Sequence, residues 1–253
     1  MSGRHGVGPT PVVVRYGDHP EQRVELIDPA PGSRPRGVAL LVHGGYWRER
    51  FTLRLMDRLA ADLTARGWAV ANVEYRRGAA GPWPAPDDDV RAAATAIAGG
   101  AWRRRWDGPL VAIGHSVGGQ LALLAARAPT CGVDSVVALA PVTDAARVWG
   151  EDLGDGAAAE YFGGSPAELG SVYATASPVR AFGSGRPVLV VHGDADTRVP
   201  LAHSVDFVAA ASAAGESVGL LEVPGLDHLG AIDSAGPHWE ATVGWMAGAA
   251  VVR

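Results

Sequence analysis

An α/β fold, with a mostly parallel central sheet and helices on both faces, is the class this sequence predicts. Three observations carry that reading. Short apolar runs alternate with longer amphipathic segments, the rhythm of strand–helix–strand units. Some of the short runs are continuously apolar, as strands buried on both faces are. The composition is that of a globular chain: 253 residues, 47% hydrophobic and 19% charged, with enough apolar material for one large core.

The elements follow in order. Residues 12–15 and 23–27 read as two N-terminal strands, an antiparallel pair. Residues 37–42 form a continuous apolar run, a strand buried on both faces. Over 53–65, Leu53, Leu55, Met56, Leu59 and Leu63 recur at helical spacing. A strand is expected at 68–73. A helix is expected at 86–98, opening on Asp87, Asp88 and Asp89. Acidic residues in a first turn complement the helix macrodipole, so this triplet reads as capping and not as a metal site. Strands are expected at 110–114, 135–139, 188–191 and 218–223, and helices at 116–127, 201–214 and 238–249. Residues 140–187 break the rhythm. They are polar, glycine-rich and too long for a simple connection, and such insertions are usually lids or binding loops. The chain therefore reads as a single domain, 1–253, with a lid-like insertion at about 140–187.

Composition excludes several chemistries. All 22 basic residues are Arg, so Schiff-base catalysis, a lysine-anchored pyridoxal cofactor, Walker A phosphate binding and the kinase lysine are ruled out. A single cysteine, Cys131, leaves no intrachain disulfide, Cys-rich zinc site or iron–sulfur cluster. A net charge of −5 advertises no basic face for nucleic acid. No apolar run approaches the ~20 residues that span a bilayer. Residues 1–5 carry no apolar segment behind them, so a cytoplasmic protein without a membrane partner is expected. No metal and no cofactor is expected.

Three segments carry chemistry. Gly114-His115-Ser116-Val117-Gly118-Gly119 lies between an expected buried strand and an expected helix. That context makes G-x-S-x-G a nucleophile elbow, with Ser116 raised above the sheet and the helix N-terminus favouring negative charge beside it. His43-Gly44-Gly45-Tyr46-Trp47 follows the first central strand, where a glycine turn can offer backbone N–H groups to an oxyanion. With the amide of Val117, those of Gly44 and Gly45 form the candidate oxyanion hole. The third element is a base with its orienting acid. After an elbow of this kind the order is Ser, Asp or Glu, then His. His228 lies after the last strand and is the candidate base. Asp194 and Asp196 follow the strand before it, and Asp227 adjoins His228; the chemistry alone does not choose among them. The remaining histidines have plainer roles: His5 and His19 in the N-terminal region, His115 packing under the elbow, His192 inside its turn, His203 on a helix, His238 starting the last helix.

These motifs resemble those of the α/β-hydrolase superfamily, over nearly the full chain from about Val12. The elbow, the Asp-x-x-Val-Pro turn and the late Gly-x-x-His all fit. In that superfamily's G-x-x-D-x-x-V-P turn the acid is the fourth residue, so the resemblance places it at Asp196 in the stretch from Gly193 to Pro200. His43-Gly44-Gly45-Tyr46-Trp47 is similar to the H-G-G-x-W element of kynurenine formamidases (arylformamidases) and small carboxylesterases. The stretch from Tyr75-Arg76 through Trp83-Pro84 to Asp89-Val90 is similar to the Y-R-x-x-P…F-P-A…D-V pattern of hormone-sensitive-lipase-like esterases. It departs from that pattern with Arg77-Gly78-Ala79.

The expected activity is a cofactor-independent serine hydrolysis of a small ester or activated amide, with an acyl-enzyme on Ser116. The partner is that small molecule, and a homodimer is allowed. Tyr46, Trp47 and the insertion aromatics Trp149, Tyr161 and Phe162 are candidates for an aromatic wall on the leaving-group side, with packing as their alternative. The same triad could serve lyase, cyclase or carbon–carbon bond chemistry, or the scaffold a non-catalytic binding role, since the fold does not fix the reaction.

Overall fold

The computed structural model describes residues 10–249. One eight-stranded sheet holds β1 (Val12–Arg15), β2 (Arg23–Ile27), β3 (Gly37–Val42), β4 (Trp68–Glu74), β5 (Leu110–His115), β6 (Ser135–Leu139), β7 (Val188–Gly193) and β8 (Val218–Val223), in the order β1-β2-β4-β3-β5-β6-β7-β8. β1 pairs antiparallel with β2, and β2 antiparallel with β4. Every other neighbouring pair is parallel. Parallel pairing requires crossovers, and the helices provide them.

Helices α1 (Asp57–Ala65), α2 (Ala85–Gly99), α3 (Val117–Ala125), α4 (Ala145–Gly150), α5 (Leu153–Phe162), α6 (Gly170–Thr175), α7 (Ala202–Ala213) and α8 (Pro237–Ala249) follow in chain order. Strand alternation divides the core. Val38 and Leu40 of β3, with Leu110 and Ala112 of β5, point to the face covered by α2, α3 and α7. Ala39, Leu41, Val111 and Ile113 point to the other face, against Leu59 and Leu63 of α1 and Trp239, Val243 and Met246 of α8. This is why the central strands are apolar at every position.

A third apolar cluster sits above the carboxyl ends of the strands. Val42, Tyr46, Trp47, Val117 and Leu121 there meet Ala145, Val148, Ala157, Ala158 and Tyr173 from the 140–187 segment. That segment is helical, carrying α4, α5 and α6. Asp144 caps α4, accepting hydrogen bonds from the amides of Ala146 and Arg147. α5 enters through left-handed residues, with φ of 52° at Asp152, 54° at Asp155 and 67–70° at Gly154 and Gly156. A short amphipathic stretch broken by such residues carries little helical periodicity, so these helices escape a reading of pattern alone.

Two further expectations are corrected. The helix expected over 53–65 begins as a 3₁₀ turn, Leu53–Met56, with the Thr52 hydroxyl accepting from the Arg54 amide. The aspartate triplet is more than a capping group. Asp87 and Asp88 do lie in the first turn of α2. Asp89 instead is buried and binds the amide and guanidinium of Arg76 and the side-chain amide of Gln22. Its carboxylate ties the end of β4 to α2. Among the described residues no cluster of ligating side chains could hold a metal ion, and no helix is long and apolar enough to cross a membrane. Residues 1–5, including His5, lie outside the described residues.

Candidate active site

Four turns converge at the carboxyl ends of the parallel strands, where open α/β sheets bind ligands. The first follows β5. Ser116 has φ 56° and ψ −121°, a backbone conformation that costs a non-glycine residue free energy and that only surrounding structure can hold. The restraints are visible. The Ser116 amide donates to Leu139 O at 2.9 Å, and its carbonyl accepts from Val142 N and Gln120 N, both at 3.1 Å. A Cβ on Gly118 would stand 2.1 Å from Val42 O, so only glycine lets α3 start this close to β3. The Ser116 hydroxyl is buried and has no hydrogen-bond partner among the described residues.

The turn after β3 lies against the elbow. A Cβ on Gly44 would fall 2.8 Å from the Ser116 Cβ. Gly45, Tyr46 and Trp47 all have positive φ, 126°, 51° and 58°. Among the described residues the amides of Gly44 and Gly45 donate no hydrogen bond. Val117, as the first residue of α3, has no intrahelical acceptor for its own. Three backbone N–H groups of these two turns thus have no acceptor among the described residues.

His43 braces this turn from beneath. Its Nδ1 meets Gly44 O at 2.8 Å and its Nε2 meets the buried Glu74 carboxylate at 2.8 Å. Arg77, also buried, donates to the same carboxylate at 2.7 Å. Burial opposes ionisation of Glu74, but the His43 hydrogen bond and charge and the Arg77 charge hold its pKa below the ordinary range. The hydroxyl of Tyr75 donates to His43 O at 2.7 Å.

The acid and base come from the turns after β7 and β8. His228 Nδ1 donates to Asp196 Oδ2 at 2.7 Å, which leaves the lone pair on Nε2. Asp196 Oδ1 accepts from the amides of Arg198 and Val199 at 2.8 and 2.9 Å. Its Oδ2 also accepts from His192 Nε2 at 3.1 Å. Burial would raise the Asp196 pKa, but the hydrogen bonds from His192 and His228 overcome it and keep the carboxyl well below the usual carboxylate range. Of the three aspartates open in the sequence, Asp196 is the one that bonds His228. Asp194 caps a turn, accepting from Gly225 N at 2.6 Å, and Asp227 accepts from Gly230 N at 2.6 Å.

His192 is the residue that sequence reasoning passed over. Its Nε2–H also reaches Val199 O at 2.8 Å, and its Nδ1 accepts from the Ser204 hydroxyl at 2.6 Å. It clamps the acid turn to α7. The available signal was its place at the end of a buried strand, four residues before Asp196. His115, beside the serine, donates from Nε2 to His228 O at 2.9 Å, and the two rings lie 4.6 Å apart. Burial, aided by the nearby His228, pushes its pKa down to about 3, so the ring stays neutral with its single proton on Nε2. It links the serine turn to the histidine turn.

The candidate aromatic wall separates into parts. Trp47 is 1% exposed, donates to Gln120 Oε1 at 3.1 Å and stacks on Tyr161 at 5.3 Å. Packing, the alternative open in the sequence, is what it does, because almost none of its surface is left for a ligand. Phe162 packs edge-on to Trp47 and Tyr161. Tyr161 donates to Gly81 O at 2.7 Å. Tyr46 donates to Arg198 O at 2.5 Å, which joins the turn after β3 to the turn after β7; burial, reinforced by the Asp196 charge, lifts its pKa to about 12. Trp149 is half-exposed, beside a separate cavity with Asp152, Gly156 and Ala159. No contact among the described residues brings it to Ser116.

Similar solved structures share this fold. A truncated carbohydrate esterase from gut microbiota superposes with a TM-score of 0.85 at 21% identity, covering 96% of this chain and 99% of its own. An acetyl ester-xyloside bifunctional hydrolase from Caldicellulosiruptor lactoaceticus gives 0.76 at 19% identity, covering 95% and 97%. Esterase 2 of Thermogutta terrifontis, phosphoramylated by tabun, gives 0.70 at 20% identity, covering 90% and 88%. These likenesses establish the α/β-hydrolase fold. No curated protein matches the sequence. The model of one family, BD-FAE, matches residues 24–210, well over half of the chain, with Gly44, Gly45, Ser116 and Asp196 inside the match. The chain therefore belongs to the BD-FAE family of the α/β-hydrolase fold.

Proposed function

We propose that this chain is a serine ester hydrolase acting on short acyl esters of carbohydrates. The observation that carries the reading is one geometry: Ser116 on a positive-φ elbow, linked through its neighbour His115 to His228, whose Nδ1 is fixed on a buried aspartate at 2.7 Å. Ser116 Oγ attacks the acyl carbon as its proton passes to His228 Nε2. The amides of Gly44, Gly45 and Val117 and the N-terminus of α3 hold the oxyanion. His228 then protonates the leaving alcohol, and water repeats the sequence on the acyl-enzyme. Asp196 keeps the productive tautomer and stabilises the imidazolium without taking the proton. The carbohydrate part of the reading is supported by the carbohydrate esterase and the acetyl ester-xyloside hydrolase among the similar structures.

The formamidase resemblance rested on H-G-G-x-W. Its tryptophan is occupied with Gln120 and Tyr161 and offers no wall to an aromatic leaving group. Esters are therefore favoured over formamides. A screen of p-nitrophenyl acetate, an acetylated xylo-oligosaccharide and N-formylkynurenine tests the reading. Acetate release from the first two is expected. Turnover of N-formylkynurenine alone, or of none by folded protein, would reject it.

A further inference from the structure

Both ring nitrogens of His43 face oxygens that act as acceptors, and this fixes more than the position of the ring. Nδ1 lies 2.8 Å from Gly44 O, and a carbonyl has no proton to give, so Nδ1 carries one. Nε2 lies 2.8 Å from Glu74 Oε1, so a second proton sits between those two atoms. The surroundings of Glu74 decide which atom holds it. The same Oε1 accepts from Arg77 Nη1 at 2.7 Å, while Oε2 accepts from Leu53 N at 3.3 Å and from Arg23 Nη2 at 3.5 Å. A carboxyl group surrounded by donors on both oxygens is stabilised in its ionised form. The shared proton therefore belongs to Nε2, and the ring carries a proton on each nitrogen.

Tyr75 favours the same state. Its ring stacks on His43 with centroids 4.4 Å apart and planes 19° from parallel, and an aromatic face attracts a cation. Burial holds the Tyr75 hydroxyl neutral, and that hydroxyl donates to His43 O. The charged groups gathered at the ring are thus Glu74 at the end of β4, Arg77 just beyond it, Arg23 on β2, and Glu21, 3.3 Å from Arg77.

The charge has a short path to the chemistry. The Gly44 carbonyl that accepts from His43 and the Gly45 N–H are the two ends of one peptide group. A cationic donor at the carbonyl draws electron density toward oxygen, which makes the N–H at the other end a stronger donor. The same bond fixes the plane of the peptide at a residue whose φ is 126°, where glycine is otherwise free to turn. The Gly45 amide is one of the candidate oxyanion donors, and it has no acceptor among the described residues.

We infer that His43 is a buried imidazolium held by Glu74, and that it serves as a positioning residue, orienting and polarising the Gly44–Gly45 peptide so that the Gly45 N–H meets the oxyanion formed at Ser116. The catalytic half of this inference rests on the ester hydrolase reading; the protonation of the ring rests on geometry alone.

Nitrogen-15 NMR of the native protein, labelled at histidine, reads the ring without substrate. At pH 8 an unperturbed imidazole is neutral. His43, assigned by the loss of its signals in His43→Gln, is expected to show an attached proton on each nitrogen. Kinetics then test the role. Glu74→Gln removes the carboxylate that holds the second proton, and His43→Gln keeps a donor without the charge. Each is expected to lower kcat for p-nitrophenyl acetate about 10-fold, less than loss of a whole oxyanion donor, with KM changed less than about 2-fold. A trifluoromethyl ketone forms the oxyanion without turnover, as Ser116 Oγ adds to its carbonyl carbon and the serine proton passes to His228. Its affinity should fall by the same factor as kcat. A neutral His43 ring would overturn the inference. So would unchanged kcat in a folded variant, or a trifluoromethyl ketone affinity that holds while kcat falls. Failure of the native enzyme on p-nitrophenyl acetate would reject the ester hydrolase reading and the oxyanion role with it, and the ring's protonation, read independently, tells the two failures apart.

Discussion

Asp196 accepts four hydrogen bonds, two from backbone amides and two from imidazoles, and this concentration makes it the residue on which the site turns. An Asn at 196 would place an amide where an acceptor is needed and release the His228 tautomer. Asp196→Asn is expected to cost ~10⁴ in kcat. Asp194→Asn should change kcat by less than about 2-fold, because its one bond, to Gly225 N, is a turn contact that an Asn oxygen can also make. Steady-state kinetics on both variants checks the ranking, and the reverse order would move the acid to Asp194. His192 acts one step further out, as a positioning residue. His192→Phe removes one bond to a charged acceptor and leaves the Ser204 hydroxyl without its partner. A loss of about 10-fold in kcat with little change in KM is expected, in line with the ~1.5–3 kcal/mol of a charged hydrogen bond. A change confined to KM would contradict the positioning role. Ser116 and His228 were legible as candidates because motifs at strand ends constrain residue type strongly, whereas the residues left three aspartates open and only the resemblance pointed to Asp196, the one that bonds His228. His192, His43 and Glu74 were not, because a buried hydrogen-bond partner needs only the right distance in space and leaves no fixed spacing in sequence.

At the scale of elements, helix α2 carries an electrostatic cost that the sequence disguised as capping. Burial lifts the pKa of Asp87 to about 6, despite its pairing with Arg91. A carboxyl raised in the folded state binds more protons folded than unfolded, so its stabilising effect is greatest below pH 4 and is lost as pH rises through 6. Asp196 has the opposite sign: its pKa is depressed, so its contribution is present above the ordinary carboxylate value and is lost only in stronger acid. Between pH 5 and 8 the Asp87 effect opposes that of the histidines that burial holds neutral, such as His115, whose contribution grows with pH, so it is read as the difference between parent and variant. Relative to the parent, Asp87→Asn is expected to gain about 1 kcal/mol of stability on going from pH 5 to pH 8, read from denaturant midpoints. Identical slopes for parent and variant would refute it. The central strands were legible to within a residue or two, because two-sided burial demands unbroken apolar runs. Helices α4, α5 and α6 were not, because they are short and are held by Asp144, Ser177 and contacts to Trp47, all of them tertiary.

Across the whole molecule, the sheet supplies the platform, and the 140–187 segment packs on it through the apolar cluster that joins it to Val42, Trp47 and Val117. We propose that this segment sets the acyl pocket. It brings aromatic rings and alanines to that cluster, with Leu153 and Leu169 only at its margin, which does not build a long greasy tunnel. Each methylene is worth ~1–3 kcal/mol at most, so selection by length should be graded. A p-nitrophenyl ester series should give its highest kcat/KM between formyl and butyryl and decline steadily by octanoyl. A maximum at octanoyl or beyond would assign the enzyme a deep acyl site and require the segment to open. The serine itself is buried, so the residues that cover it limit the size of ester that can reach it.

The central claim is that Ser116 forms the covalent bond. Peptide mass spectrometry after treatment with a fluorophosphonate tests it most directly, run beside ester hydrolysis by the Ser116→Ala protein. The account predicts one adduct, on the peptide containing Ser116, with loss of activity in step with labelling and no measurable turnover by the folded variant. Labelling elsewhere with activity lost, or undiminished hydrolysis by folded Ser116→Ala, would contradict it.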